Sequence, residues 1–154
     1  MAAYFFDSSA LVKRYAREAG TSWVLSLVRR SATNHLYIAR TTGVELVSAL
    51  TRRERSGRLS RTAVAKALAR FEREFTNRYT TVEVTARLVA AAMNLARAHA
   101  LRGYDAVQLA AAIEVRQARI AAGASPLTLV SADDPLNAAA LAEGLLVDNP
   151  NNHP

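Results

Sequence analysis

Short apolar runs alternate with helical stripes along this chain. Tyr4-Phe5-Phe6 is an apolar run stopped by Asp7 and reads as a buried strand. Ser8 or Ser9 can cap a helix over Ala10 to Ala16, and Gly20-Thr21-Ser22 breaks the chain before a helix bearing Trp23, Leu25, Leu27 and Val28. Leu36-Tyr37-Ile38-Ala39 reads as a second strand, and Thr41 or Thr42 caps a helix through Val44, Leu46, Val47 and Leu50. Ser60 ends a turn and suits an N-cap. The helix after it carries Val64, Leu68, Phe71 and Phe75 on one face, with arginines on the others. Thr81-Val82-Glu83-Val84 reads as a third strand, followed by a helix capped by Thr85 with Leu88, Val89, Ala92, Leu95 and Ala96. Beyond a break at Arg102-Gly103 a helix runs from about Tyr104 to Ala121. Leu127 to Val130 is the fourth strand, Asp134 caps a helix with Pro135 at its first position, and Leu145-Leu146-Val147 is the last strand.

About five short strands separated by helices predict a parallel α/β sheet covered on both faces, and strands that are apolar throughout agree. One domain is expected over residues 1–148, with a polar tail, 149–154, that frays. No repeat or linker interrupts it. At 154 residues the chain is long enough to bury a sizeable core, and 51% hydrophobic against 21% charged residues excludes a disordered chain. Cysteine is absent, which excludes disulfides, cysteine–zinc sites and a cysteine nucleophile, and suits a reducing cytoplasm, the expected location. No run reads as a membrane span: the richest, Leu88 to Leu101, is interrupted by Asn94 and Arg97. No signal peptide is expected, since Asp7 follows the first strand at once.

The chain carries 20 Lys+Arg against 13 Asp+Glu, a net charge of +7. Nine of the basic residues lie between Leu50 and Tyr79, against three acids. Arg52, Arg53, Arg55 and Arg58 open that stretch. It reads equally as a solvated helix face or as a surface that meets phosphates.

Four acids fall where chemistry could use them. Asp7 follows the first strand and Asp133 the fourth, and in open α/β sheets ligands bind beyond the carboxyl ends of strands. Glu45 lies near the start of one helix and Asp105 opens another. Asp7 and Asp105 could be plain caps and Glu45 an exposed helical position, whereas Asp134 is the better cap before Pro135, leaving Asp133 without that role. If all four converge, two carboxylates about 5 Å apart repel by roughly 3 kcal/mol at an effective dielectric of about 20. Convergence therefore implies a divalent cation, and thiol-free oxygen ligation implies Mg²⁺ or Mn²⁺. A basic surface beside such a site suggests a phosphodiester substrate.

Asp7-Ser8-Ser9-Ala10-Leu11-Val12-Lys13, Val44-Glu45-Leu46, Arg102-Gly103-Tyr104-Asp105-Ala106-Val107-Gln108-Leu109-Ala110 and Ser131-Ala132-Asp133, in this order, resemble the PIN-domain ribonucleases, and among them the VapC toxins of bacterial toxin–antitoxin pairs. The resemblance covers nearly the whole chain. It implies a parallel sheet with the first strand central, a metal-dependent endoribonuclease acting on RNA, and a cognate antitoxin protein that blocks the site. By position it implies that Asp7, Glu45, Asp105 and Asp133 hold Mg²⁺ or Mn²⁺ and position the attacking water. Ser9 and Ser131 would support them. Only the Ser-x-Asp pattern picks Asp133 over Asp134.

Other chemistries fit less well. His35, His99 and His153 are scattered without ligand spacing and are expected to be structural or exposed. No glycine-rich phosphate loop is present. A phosphoaspartyl enzyme would want a second Asp where Ser9 stands. Two alternatives stay open: a non-catalytic RNA-binding module, and a nuclease of RNA processing without an antitoxin. Leu46 and Leu50 would suit a homodimer or an antitoxin groove, and suit the core equally well.

Overall fold

The computed structural model describes residues 1–154. Five parallel strands form one sheet: β1 (Ala3–Phe6), β2 (His35–Ala39), β3 (Thr80–Val82), β4 (Leu127–Val130) and β5 (Leu146–Asp148). Their order is β3-β2-β1-β4-β5, so the first strand is central and pairs with β2 on one side and β4 on the other. The connections after β1 lead outward in both directions, which opens a crevice at the carboxyl ends of β1 and β4.

Seven helices cover the sheet: α1 (Ser8–Leu11, continued by a 3₁₀ turn to Arg14), α2 (Thr21–Val28), α3 (Thr42–Arg55), α4 (Arg61–Asn77), α5 (Ala86–His99), α6 (Gly103–Ala121) and α7 (Asp134–Ala142). The strand pleat splits the core in two. Ala3 and Phe5 of β1 face one layer with Leu88, Leu109, Ala111, Leu129 and Leu136. Phe6 faces the other with Leu11, Val24, Ile38, Leu50 and Phe71. Adjacent phenylalanines thus anchor opposite layers, and both are fully buried. Burying such a side chain contributes about 1.5–3 kcal/mol. Leu46 and Leu50 are also fully buried, so they belong to the core, whereas Val44 and Val47 of the same helix point to solvent. No helix is long and apolar enough to cross a membrane.

Ser60 and Thr85 cap their helices through the hydroxyl, accepting from Ala63 N and Leu88 N, as the sequence predicts. Three local expectations are corrected. The first helix gives way to a 3₁₀ turn at Val12, where Lys13 turns inward to Glu18. The last helix is capped by Asp133, whose carboxylate accepts from Leu136 N at 2.9 Å, while Asp134 is its first residue and exposed. Pro135 is tolerated one residue later than expected because the amides of the whole first turn lack helical partners.

The tail is the third. Residues 150–152 form a 3₁₀ turn, Pro150 is buried, and His153 stacks on Trp23 with centroids 4.2 Å apart. Gly20 makes this seat: it has φ +84°, and a Cβ there would lie 2.3 Å from the Pro150 carbonyl oxygen. Gly20→Ala is therefore expected to destabilise the fold by more than about 1 kcal/mol. A lowered urea midpoint together with altered Trp23 fluorescence checks this.

Candidate active site

Asp7 immediately follows β1 and caps α1, its Oδ1 accepting from Ala10 N at 3.1 Å. Its carboxylate is closed off from solvent, and only hydroxyls and that amide reach it. Ser9 Oγ donates to it at 2.7 Å, with Oδ2 at 3.0 Å. Burial pushes the Asp7 carboxyl up to about 7, against the opposing hydrogen bonds from Ser9, Ala10 and Ser131, with a smaller contribution from the charge of Asp105. No cation is paired with it among the ion pairs of the chain. Capping α1 is therefore compatible with a role for the same side chain in the cavity that it lines.

Ser9 also accepts from Ala132 N at 2.9 Å, tying the start of α1 to the loop after β4. Ser131, fully buried, accepts from Asp133 N at 3.1 Å. These two serines fix the backbone that presents Asp133. Asp133 faces the crevice while capping α7, and Asp134 points away from it.

Asp105 is not a cap. It sits in the first turn of α6, buried, and burial with the neighbouring charge of Asp133 raises its pKa despite Arg102. Arg102, at the cap position, spans the two acids: Nε donates to Asp105 at 3.2 Å and Nη2 to Asp133 at 3.1 Å. Glu45, one turn into α3, is held from both sides. Ser8 Oγ donates to Oε2 at 2.7 Å, and Gln108 Nε2 donates to Oε1 at 3.0 Å and to Thr42 Oγ1 at 2.8 Å.

All four acids line one cavity of about 580 Å³. Arg52, Arg53, Lys13 and Tyr104 share its wall. Arg53 is committed to Glu18, leaving Arg52 as the exposed arginine of α3 at the rim. Arg55 and Arg58 do not line the cavity. No three acidic side chains form a ready-made ligand cluster. The donor set is nonetheless all oxygen, and a buried Asp7 lacking a positive partner fits a cation. Mg²⁺ characteristically keeps several waters and uses only one or two carboxylates directly.

Reading residues alone did not single out Ser8, Thr42, Gln108 or Arg102 for these roles. Ser8 adjoins Asp7, and Gln108 lies three residues after Asp105 on the same helix face, which is the signal that could have found it. His99 and His153 bond to Glu143 and Asp148 and stand apart from the cavity, as expected of structural histidines.

The pattern of the PIN domain matches residues 4–140 of the chain. Ribonuclease VapC45 of Mycobacterium tuberculosis is 37% identical over 111 residues, 72% of this chain and 75% of the relative. Among solved structures, a toxin–antitoxin complex from Klebsiella pneumoniae aligns with TM-score 0.60 at 16% identity, covering 96% of this chain and 97% of the other. VapC20 of Mycobacterium tuberculosis, described as a sarcin–ricin loop cleaving toxin, aligns with TM-score 0.59 at 18% identity, covering 88% and 94%.

Proposed function

The chain belongs to the PIN-domain family, with a VapC ribonuclease among its relatives, and on that footing we propose that it is an endoribonuclease, the toxin of a toxin–antitoxin pair, which hydrolyses RNA with Mg²⁺ or Mn²⁺. The observation that carries this reading is the single cavity lined by Asp7, Glu45, Asp105 and Asp133 at the carboxyl ends of β1 and β4. A non-catalytic RNA-binding module would have no use for four acids in the cavity that RNA enters, where they repel phosphates.

Asp7, Glu45, Asp105 and Asp133 would hold the metal. When bound, the ion supplies activation of water and neutralisation of charge on the phosphate. The protein's own contribution is placement. Ser9 and Ser131 keep Asp7 and Asp133 in position, while Ser8 and Gln108 fix both oxygens of Glu45. Arg102 is exposed at the mouth, and once Asp105 and Asp133 are otherwise neutralised its guanidinium is free to pair with the scissile phosphate. Arg52 offers a second donor at the rim.

The antitoxin partner follows from the VapC relationship, and the exposed Val44 and Tyr104 in the cavity wall provide apolar surface for it. The purified chain should cut single-stranded or looped RNA with Mg²⁺ or Mn²⁺ and stop on addition of EDTA. Cleavage that persists in EDTA would remove the metal-dependent mechanism.

A further inference from the structure

A second cavity, of about 390 Å³, lies at the other end of the sheet and is lined by Arg14, Arg29, Arg30, Arg70, Arg73 and Arg78. Arg29 and Arg30 precede β2 and Arg78 precedes β3, so it opens where the strands begin. The four acids sit where they end. β2, five residues long, spans roughly 17 Å between these two ends.

Its arginines come from three separate parts of the chain: the turn after α1, the end of α2, and the last turns of α4. A solvated helix face would spread such charges apart. One acid, Glu74, lines the cavity, and it is already engaged by Arg14 at 2.6 Å and by Tyr15. Arg29, Arg30, Arg70 and Arg73 form no ion pair. Two of the six are held in place. Arg14 is half-buried on Glu74, and Arg78 donates Nε to the Val28 carbonyl and Nη1 to the Asn34 carbonyl. The remaining nitrogen of Arg78, Nη2, is closed from solvent and has no acceptor. Burial, with the charge of Arg30 nearby, pulls the Arg78 pKa down, against the opposing charge of Glu74.

The carboxyl ends of α2 and α4 reach this region, but a helix terminus supplies only about half a negative charge. Two of them leave most of the excess unbalanced. Val28 is the one apolar residue in the wall, so the cavity gives a base or a lipid tail nothing to pack on. Phosphate oxygens, which guanidinium groups bind in pairs, are the matching chemistry.

The geometry points to a phosphate-chain site, in which the exposed Arg29, Arg30, Arg70 and Arg73 supply the donors and the fixed Arg14 and Arg78 add charge behind them, that holds the RNA backbone several nucleotides from the bond cut at the carboxylates. The RNA source rests on the ribonuclease reading. Lys13 lines the carboxylate cavity and Arg14, the next residue, lines this one. A third cavity, of about 460 Å³, is lined by both residues. A free polyphosphate such as a nucleoside triphosphate carries the same chemistry and is the alternative source.

The test uses the full chain in EDTA with a 2′-O-methyl RNA oligonucleotide, which is not cut, and ATP as a second probe. Arg29, Arg70 and Arg73 are exposed, so Arg29→Gln/Arg70→Gln/Arg73→Gln should fold as the wild type does. Removing three phosphate contacts should flatten the slope of log affinity against log salt by about 2, at roughly 0.7 per contact for a single strand. Metal-dependent cleavage of an oligonucleotide too short to reach the second cavity should be unchanged, while cleavage of long RNA falls. If the wild type binds ATP but not RNA, and the triple variant loses ATP, the phosphate site stands but its occupant is a free polyphosphate and not the RNA backbone; the ribonuclease reading is decided separately, by metal-dependent cleavage of the short oligonucleotide. Wild-type affinity and salt slope for both probes in the triple variant, or no binding of either probe by the wild type, would overturn the site.

Discussion

Asp7→Asn is expected to raise the melting temperature of the metal-free protein and to reduce RNA cleavage by at least about a hundredfold. Burial pushes the Asp7 carboxyl up to about 7 in the folded protein. In the unfolded chain it ionises near 3.9. Between those values the folded state holds a proton that the unfolded state has released. The associated stability is complete below about pH 4 and is lost as pH rises to about 7. Three pH units correspond to roughly 4 kcal/mol, so the metal-free protein should be a few kcal/mol less stable at pH 8 than at pH 4 on account of this group. Asparagine keeps the cap on Ala10 N and never carries the charge. The variant should therefore lose most of this pH dependence and melt several degrees higher at pH 8, since 1 kcal/mol is worth about 2–4 °C at this size. The stabilisation that Mn²⁺ gives the wild type should shrink at the same time, because it comes from binding to the folded state. Thermal melts across pH, with and without Mn²⁺, separate this from a plain capping role, under which all three quantities would stay near wild type.

Ser9→Ala should be the most damaging change outside the acids. One hydroxyl donates to the buried Asp7 and accepts from Ala132 N. Its removal strips a carboxylate of its shortest hydrogen bond and leaves a backbone amide without a partner. Each loss costs about 1–3 kcal/mol. The Asp7 carboxyl should move further up, since the Ser9 bond is the largest influence holding it down. Losing a group that orients a metal ligand typically costs tenfold to a hundredfold in affinity or activity. Raising Mn²⁺ should recover much of the lost rate in Ser9→Ala but not in Asp7→Asn, and Ser9→Thr, which keeps the hydroxyl, should stay close to wild type. Cleavage and urea unfolding of the three variants check this.

The parts of this fold that were legible in the sequence are those set by local pattern. Phe5 and Phe6, Leu36 and Ile38, and the run from Leu127 to Val130 form strands where they should, because each pleat face meets an apolar layer. Ser60 and Thr85 cap because their hydroxyls reach amides three residues on. Local pattern misjudged what distant contacts decide. The tail is held by Gly20 and Trp23, more than a hundred residues away, and the turn after α1 is shaped by Glu18 and Glu74.

The four acids were legible as candidates because each sits at an element boundary. That they share one cavity depends on β1 being central beside β4, which spacing alone does not state. The arginine stretch was legible only as a charge. Five of its nine members line two cavities, Arg52 and Arg53 beside the acids and Arg70, Arg73 and Arg78 at the far end of the sheet, while the others line neither.

Asp7, Glu45, Asp105 and Asp133 are expected to hold a divalent ion together. Calorimetric titration of Mn²⁺ into the wild type and into Asp7→Asn, Glu45→Gln, Asp105→Asn and Asp133→Asn tests it without RNA. Saturable binding by the wild type is expected, weakened at least about tenfold in Asp7→Asn and reduced in the other three. A wild type that takes up no Mn²⁺, or four variants that bind it as the wild type does, would contradict it.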